Sequence, residues 1–351
     1  MNDAPDGIER TRAVANMLIA TLLTMAALYF ARPFLVPIAL AVLLTSLLRP
    51  VVRRLERFGL AAPAGSAIVV LSLLLVIGVG VFALADPVRV WLKEAPADLQ
   101  VAQAKLSKIR RSVERVTDAA EKLGQSSGSS GAGQTAAPAA PPGIASALGT
   151  TTTFLGGLAE VLVLLYLLLA SGNLFLRKLI GLLPVLSDKK RAVSISDEVE
   201  GAVARYLLTT LAINIAQGAI TGAAMFFLGM PNPVLWGGLT VLLEFVPFLG
   251  AAFMVGLLAI AAIGHFDAIG HALLIPATYL IITTLQNNLV SPIAYGQRLR
   301  LNSVAVMIGV LFWWFLWGVA GAFLAVPFVA SLKILADHVE GLAPLGEFLG
   351  E

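Results

Sequence analysis

The sequence predicts an all-α polytopic membrane protein with about eight membrane segments. Two of these read as broken or re-entrant helical hairpins, and one further helical segment lies outside the bilayer. Three observations carry that prediction. Of 351 residues 58% are hydrophobic and only 13% charged, with a mean hydropathy of +0.88, whereas a soluble chain carries roughly 25% charged residues. Apolar runs long enough to cross a bilayer recur, the clearest being Ala64 to Ala85, which holds no charge. Finally, the most apolar region, 231–332, is interrupted twice. Glu244 and Pro247 stand in LLEFVPFLG, Leu242 to Gly250, and Gly318 and Gly321 break LFWWFLWGVAGAFLAVP, Leu311 to Pro327. An ionisable group in hydrocarbon costs a few kcal/mol on insertion scales, and proline removes a backbone donor. Such residues persist at membrane depth where they face protein or a water-filled cavity. The alternative is a pair of ordinary spans with glycines at helix contacts.

In chain order, 1–85 holds the first three spans. Ala13 to Ala31 reads as a retained anchor, and Phe34 to Leu48 as a short return crossing. The loop between the second and third spans offers Arg49, Arg53, Arg54 and Arg57 against Glu56. Short basic loops stay in the cytoplasm, so both termini are expected inside. Residues 86–149 form an external segment. Leu99, Ala102, Leu106, Ile109, Val113, Val116, Ala120 and Leu123 make a heptad seam, which fits either subunit association or packing on the same chain. A Gly/Ser/Ala/Pro linker, Gly124 to Gly143, follows.

The fourth span and cytoplasmic interfacial helices occupy 150–205, with Ser196 a candidate cap. Glu160 in this span reads as a carboxyl near the outer interface or paired with a neighbouring helix. Residues 206–335 form the core with both hairpins, and 336–351 a cytoplasmic tail.

Several classes are excluded. The net charge of +3 is small, and the basic residues sit in short blocks beside apolar runs, a topology signal and no nucleic-acid footprint. Without cysteine there is no thiol or iron–sulfur chemistry. His265, Asp267 and His271 lack a helical i, i+4 ligand pair, so no metal is expected. There is no HExxH, no paired aspartates within spans and no Walker loop. The chain therefore reads as no enzyme and as needing no cofactor, which leaves a secondary transporter or a non-transporting membrane scaffold whose heptad helix recruits partners.

The candidate binding residues are Glu244, as a coupling or cargo-binding carboxylate, and Gln286, Asn287 and Asn288, three adjacent carboxamides that are costly against lipid. Asn214 and Gln217 fall on one face of the preceding span and either line a path or bond neighbouring helices. Pro247, Gly250, Gly318 and Gly321 shape the breaks. A constant offset of 70 also pairs Asn232 with Asn302, Val234 with Val304, Phe245 with Phe315, Ala252 with Ala322 and Phe253 with Phe323. Repeats with broken helices are a common way to build a transporter site.

The motifs MPNPVLWGGLTVLLEFVPFLG, LVSPIAYGQRLRLNSV and WGVAGAFLAVPFVASLK, in this order, resemble the autoinducer-2 exporter family of bacterial inner-membrane proteins. The likeness is close from about Tyr206 onward and extends to the layout of the first half. It implies about eight membrane segments, a homo-oligomer, plausibly a pentamer, and export of a small polar solute such as autoinducer-2. Other members of the family are assigned sodium/proton antiport. One position departs from the pattern: that family often has asparagine where this chain has Glu244.

Overall fold

The structure, a computed structural model, describes residues 4–123, 144–172, 174–182, 186–295 and 301–350. Among these residues it is helical throughout, with no strand and one isolated bridge between Leu301 and Gly350. The expected linker at 124–143 lies outside the described residues. Six helices are long and apolar enough to cross a membrane.

The distribution of side chains is that of a protein whose solvent is lipid. The α1 helix (Ala4–Phe30) leaves Leu18, Leu22 and Phe30 exposed, and the buried set contains Thr210, Asn214, Gln217, Thr221, Thr240 and Thr283. A water-soluble fold would hide the first group and expose the second. Apolar faces outside and hydrogen-bonding groups inside fit a medium that cannot satisfy polar atoms.

The α2 helix (Arg32–Arg57) is longer than the short span expected at 34–48. It runs through Pro37 and Pro50 into the arginine cluster. The α3 helix (Ala62–Leu123) carries the apolar run at 64–85 and the heptad segment after it as one 62-residue helix with no break near residue 85, roughly 93 Å at 1.5 Å per residue. Leu99, the first position of the heptad seam, is exposed. The α4 helix (Ile144–Ser171) packs Val161, Leu165 and Leu169 against α2 and α3. Glu160 points away from that seam and is exposed, with no described partner. It stands 12 residues before Gly172, about 18 Å along the axis.

After α5 (Leu174–Gly181), the α6 helix (Leu186–Phe227) runs unbroken for 42 residues, so Ser196 lies inside it and caps nothing. At one end of the bundle Arg49 ties three elements together. Its guanidinium donates to Glu200 Oε2 on α6 at 2.6 Å and to the Gly172 carbonyl after α4 at 2.6 Å. At the other end Lys105 of α3 donates to the Ile263 and Phe266 carbonyls at 3.0 and 2.7 Å. That contact closes the end of α8 (Leu249–His265) and shows the part of α3 around Lys105 packing on its own chain.

Both expected breaks are present. The α7 helix (Pro233–Leu243) stops at Glu244, and α8 begins after Phe248, whose φ is +62°. Gly250 lies so close to the Leu243 carbonyl that a Cβ there would overlap it. The α11 helix (Ser303–His338) is two arms, because Gly318 adopts φ +62° and ψ −141°. The arms fold back on each other: the Trp313 and Phe328 rings stand 4.4 Å apart, and Gly309 abuts Val329. Gly321 sits against the Trp313 carbonyl with no room for a side chain. The hairpin tips meet through Phe245 and Phe323, with ring centroids 5.1 Å apart, and Val246 packs on Val310, Ala322 and Ala325.

The offset of 70 has a structural counterpart. Asn232 and Asn302 are both N-cap residues, and Phe248 and Gly318, also 70 apart, are the positive-φ residues at the two breaks. Between the hairpins, α9 (Ile269–Leu285) passes through a π-helical turn, Gln286–Val290, into α10 (Ser291–Tyr295). The C-terminal α12 (Ala343–Leu349) packs Leu349 on Ala305 and Val329, and the Leu349 carbonyl accepts from the Asn302 amide.

Substituting alanine for Gly321 is expected to force the hairpin apart at a cost of about 1–3 kcal/mol. Gly256, where an added Cβ would meet nothing within 4 Å, should accept alanine without loss. Thermal unfolding midpoints of Gly321→Ala and Gly256→Ala in detergent compare the two directly.

Candidate functional site

The local sequence explains how a carboxylate comes to stand inside the bundle. Gly218 and Gly222 on α6 meet Gly237 on α7 backbone to backbone; a Cβ on Gly218 would lie 2.6 Å from the Gly237 carbonyl. Small residues at such spacing let helices approach closely in lipid. The close approach carries the end of α7 onto the polar face of α6. There Asn214, in the orientation that satisfies both its amide atoms, accepts from the Phe245 backbone N–H at 3.3 Å and donates to the Thr210 carbonyl at 3.1 Å. The Phe245 N–H belongs to the break and has lost its helical acceptor, so Asn214 supplies what the helix no longer does.

Glu244 occupies the break itself. Its Oε1 accepts from Gln217 Nε2 at 3.1 Å, from the Tyr279 hydroxyl at 2.5 Å and from the Thr283 hydroxyl at 3.3 Å. Asn287 extends the chain by donating to Thr283 Oγ1 at 3.4 Å. Donors from α6 and α9 thus converge on one oxygen, and among the described residues no donor reaches Oε2. An oxygen that accepts three hydrogen bonds has no lone pair left for a proton, so Oε2 is where a proton or a cation would attach.

Glu244 lines a cavity of about 650 Å³. Its buried wall is Thr210 and Asn214, and its exposed wall includes Phe248, Asn287, Asn288 and Ser303. Gln286, Ser291, Tyr206 and Tyr295 complete the polar lining, while Pro247, Ala251, Val306 and Val326 form an apolar side. Tyr206 and Tyr295 stack at 5.9 Å, and the Tyr295 and Thr210 hydroxyls are hydrogen-bonded at 2.8 Å. The π-helical turn matters here. It carries three consecutive carboxamides, Gln286, Asn287 and Asn288, all of which line the one cavity.

Of the residues singled out from sequence, Glu244, Asn214, Gln286, Asn287, Asn288 and Pro247 line this cavity, and Gln217 stands behind Glu244. Gly250, Gly318 and Gly321 form the breaks and do not line it. His265 and His271 lie elsewhere, His265 edge-to-face and His271 stacked on Phe266, with His271 Nε2 3.0 Å from the Leu228 carbonyl. Sequence reasoning passed over Tyr206, Thr210, Tyr279, Thr283 and Tyr295. A signal was present: Tyr206, Thr210, Asn214, Gln217 and Thr221 recur every three or four residues on α6, and Tyr279, Thr283 and Asn287 every four on the α9 side.

The AI-2E family transporter pattern matches residues 18–341, nearly the whole chain. The chain belongs to the AI-2E transporter family. Among its relatives, the AI-2 transport protein TqsA of Escherichia coli (strain K12) is 30% identical over 140 residues, 40% of each chain. A protein of Borreliella burgdorferi described as a putative transport protein is 25% identical over 205 residues, 56% of this chain and 54% of that one. The protein MT0215 of Mycobacterium tuberculosis, described as a putative transport protein, is 26% identical over 364 aligned positions, 97% of this chain and 93% of its own. The first two matches span about half or less of the relatives' length. As an AI-2E family member with several apolar helices, the protein is a multi-pass membrane protein of a family of transporters.

Removing the Tyr279 hydroxyl leaves an accepting carboxylate short of a donor, so Tyr279→Phe should lower stability by about 1–3 kcal/mol. In a Glu244→Gln background the same change should cost clearly less. A double-mutant cycle on unfolding midpoints in detergent measures that coupling, and additive losses would dissociate Tyr279 from Glu244.

Proposed function

We propose that the protein is a secondary transporter that exports a small polar solute by alternating access, coupled to an ion through Glu244. The observation that carries this reading is the carboxylate at a helix break, held by Gln217, Tyr279 and Thr283 at the wall of a polar cavity inside an apolar bundle. A charge in that position has no structural need: a hydrocarbon side chain would pack there at lower cost. Its open oxygen gives it a use, to bind a cation or proton on one side and release it on the other. The two hairpins, touching at Phe245 and Phe323, would rock together against the remaining spans, with α4 as a further crossing and α7–α8 entering without crossing.

Autoinducer-2, which the relative TqsA is named for, is the first cargo to test. The sequence contains no nucleotide-binding loop, so an ion gradient or the cargo's own gradient would drive transport. Sodium/proton antiport is the second reading, favoured by a carboxylate where the family often has an amide. Placement in the bacterial inner membrane with both termini cytoplasmic rests on the basic loop around Arg49 to Arg57.

A homo-oligomer, plausibly a pentamer, belongs to the same proposal. Glu160 supports it: a carboxylate on the exposed face of α4, about 18 Å from the end of its helix, needs a covering neighbour. Native mass spectrometry of the detergent-extracted protein should give a multiple of the 36.8 kDa chain, and a monomer would withdraw the oligomer.

The transport reading predicts solute flux in proteoliposomes that follows an imposed proton or sodium gradient, with the gradient dependence lost in Glu244→Gln. Flux that keeps its gradient dependence in the variant would remove Glu244 from the coupling step.

A further inference from the structure

The polar atoms around the cavity are not evenly divided between donors and acceptors. Gln286 turns its nitrogen to Ser291 Oγ at 2.7 Å, Asn287 to Thr283 Oγ1 at 3.4 Å and Asn288 to the Thr284 carbonyl at 2.8 Å. In each case the amide oxygen is left without a described donor, and Gln286 Oε1 is buried in that state. Glu244 adds Oε2, which is likewise unpaired. The site therefore presents one negative charge and three carbonyl-type oxygens, and among the described residues no Lys, Arg or His lines it. An occupant with hydrogen-bond donors and a single positive charge would satisfy these atoms.

Size and the apolar side narrow the class further. A cavity of about 650 Å³ is far larger than a bare alkali ion needs. The exposed Phe248 ring and the Tyr206–Tyr295 stack line the same cavity as the carboxylate, and aromatic faces attract ammonium groups and carbon skeletons together.

We propose that the cavity binds a small monovalent organic ammonium solute, with the ammonium on Glu244 Oε2 and the carboxamide oxygens and the carbon skeleton against Phe248. This rests on the transport reading and specifies its cargo class. It also gives the departure at residue 244 a meaning: an amide in that position would leave the acceptors but remove the charge, and with it the discrimination between cationic and neutral solutes.

The chain contains no cysteine, so Ser303→Cys places a unique thiol on the cavity wall. The test compares its modification by methanethiosulfonate reagents of similar size carrying a positive or a negative charge, each rate normalised to that with a free thiol. The cationic reagent should react faster by about tenfold, and Glu244→Gln in the same background should bring the two rates together. Ethanolammonium should slow modification, whereas glycerol, glycolate and sodium ions at equal concentration should not. Should Glu244→Gln fail to fold, the reagent ratio and the protection series in Ser303→Cys alone remain decisive.

Equal rates, or protection by glycerol as strong as by ethanolammonium, would overturn the cationic class. Protection by sodium alone would reassign the site to an alkali ion. A faster anionic reagent would assign the cavity to anions, with Arg298 and Arg300 the nearest basic residues in sequence. Ethanolammonium protection without flux of any solute in proteoliposomes would retain the binding site and reject the transport reading, so the two fail separately.

Discussion

One carboxylate at a helix break constrains much of the core. Glu244 cannot be left bare in a bundle whose outer surface is apolar, and the break around it exposes backbone groups that water would otherwise satisfy. The protein meets both demands from neighbouring helices. Gln217 and Asn214 on α6 serve the carboxylate and the Phe245 amide, and Tyr279 and Thr283 on α9 complete the carboxylate's shell. The glycine contact between α6 and α7 is what makes these distances attainable, since any larger side chain at Gly218 or Gly237 would separate the helices. Packing and polar satisfaction are thus one arrangement: loosening the first strands the second.

The two hairpins share a plan and differ in chemistry. Each starts at an asparagine N-cap and reverses at a positive-φ residue, 70 positions apart in both cases. Only the first carries an ionisable residue at its break, because the position 70 residues after Glu244 is Trp314. The second hairpin is instead an aromatic and small-residue clasp, with Trp313 against Phe328 and Gly321 against the Trp313 carbonyl. It supplies a rigid wall against which Phe245 and Val246 of the first hairpin pack. The second half of α3 bears on the first hairpin from the other end, where Lys105 closes the last turn of α8 and Trp91 meets Trp236 edge-to-face at 6.0 Å.

Much of this was legible in the chain alone. Glu244, Pro247 and Gly318 announce themselves because each is costly or disruptive in an apolar helix, and a costly residue draws attention wherever it stands. The hydroxyl residues Tyr279, Thr283 and Thr210 did not stand out, since a lone Tyr or Thr is ordinary in a span. Their meaning lies in period and partner: only the crossing of α6 and α9 brings two polar stripes onto one carboxylate. The extent of α2, the continuity of α3 through residue 85 and the absorption of Ser196 into α6 also escaped sequence reading. Helix ends depend on what packs beside them, and a change in composition need not interrupt a backbone.

The sequence by itself determined that the chain lives in a membrane, where its helices break and which residue carries the unusual charge. These follow from composition, from proline and glycine geometry and from the cost of a carboxylate in hydrocarbon, all of which are local. Tertiary structure alone decided that Glu244 gives one oxygen to the protein and keeps the other free. It also decided that three successive carboxamides share one cavity and that the 303–317 and 319–338 arms lie side by side. Those facts depend on the meeting of elements far apart in the chain, as Thr210 meets Tyr295 across 85 positions, and no local rule of propensity or spacing sets the distance between them.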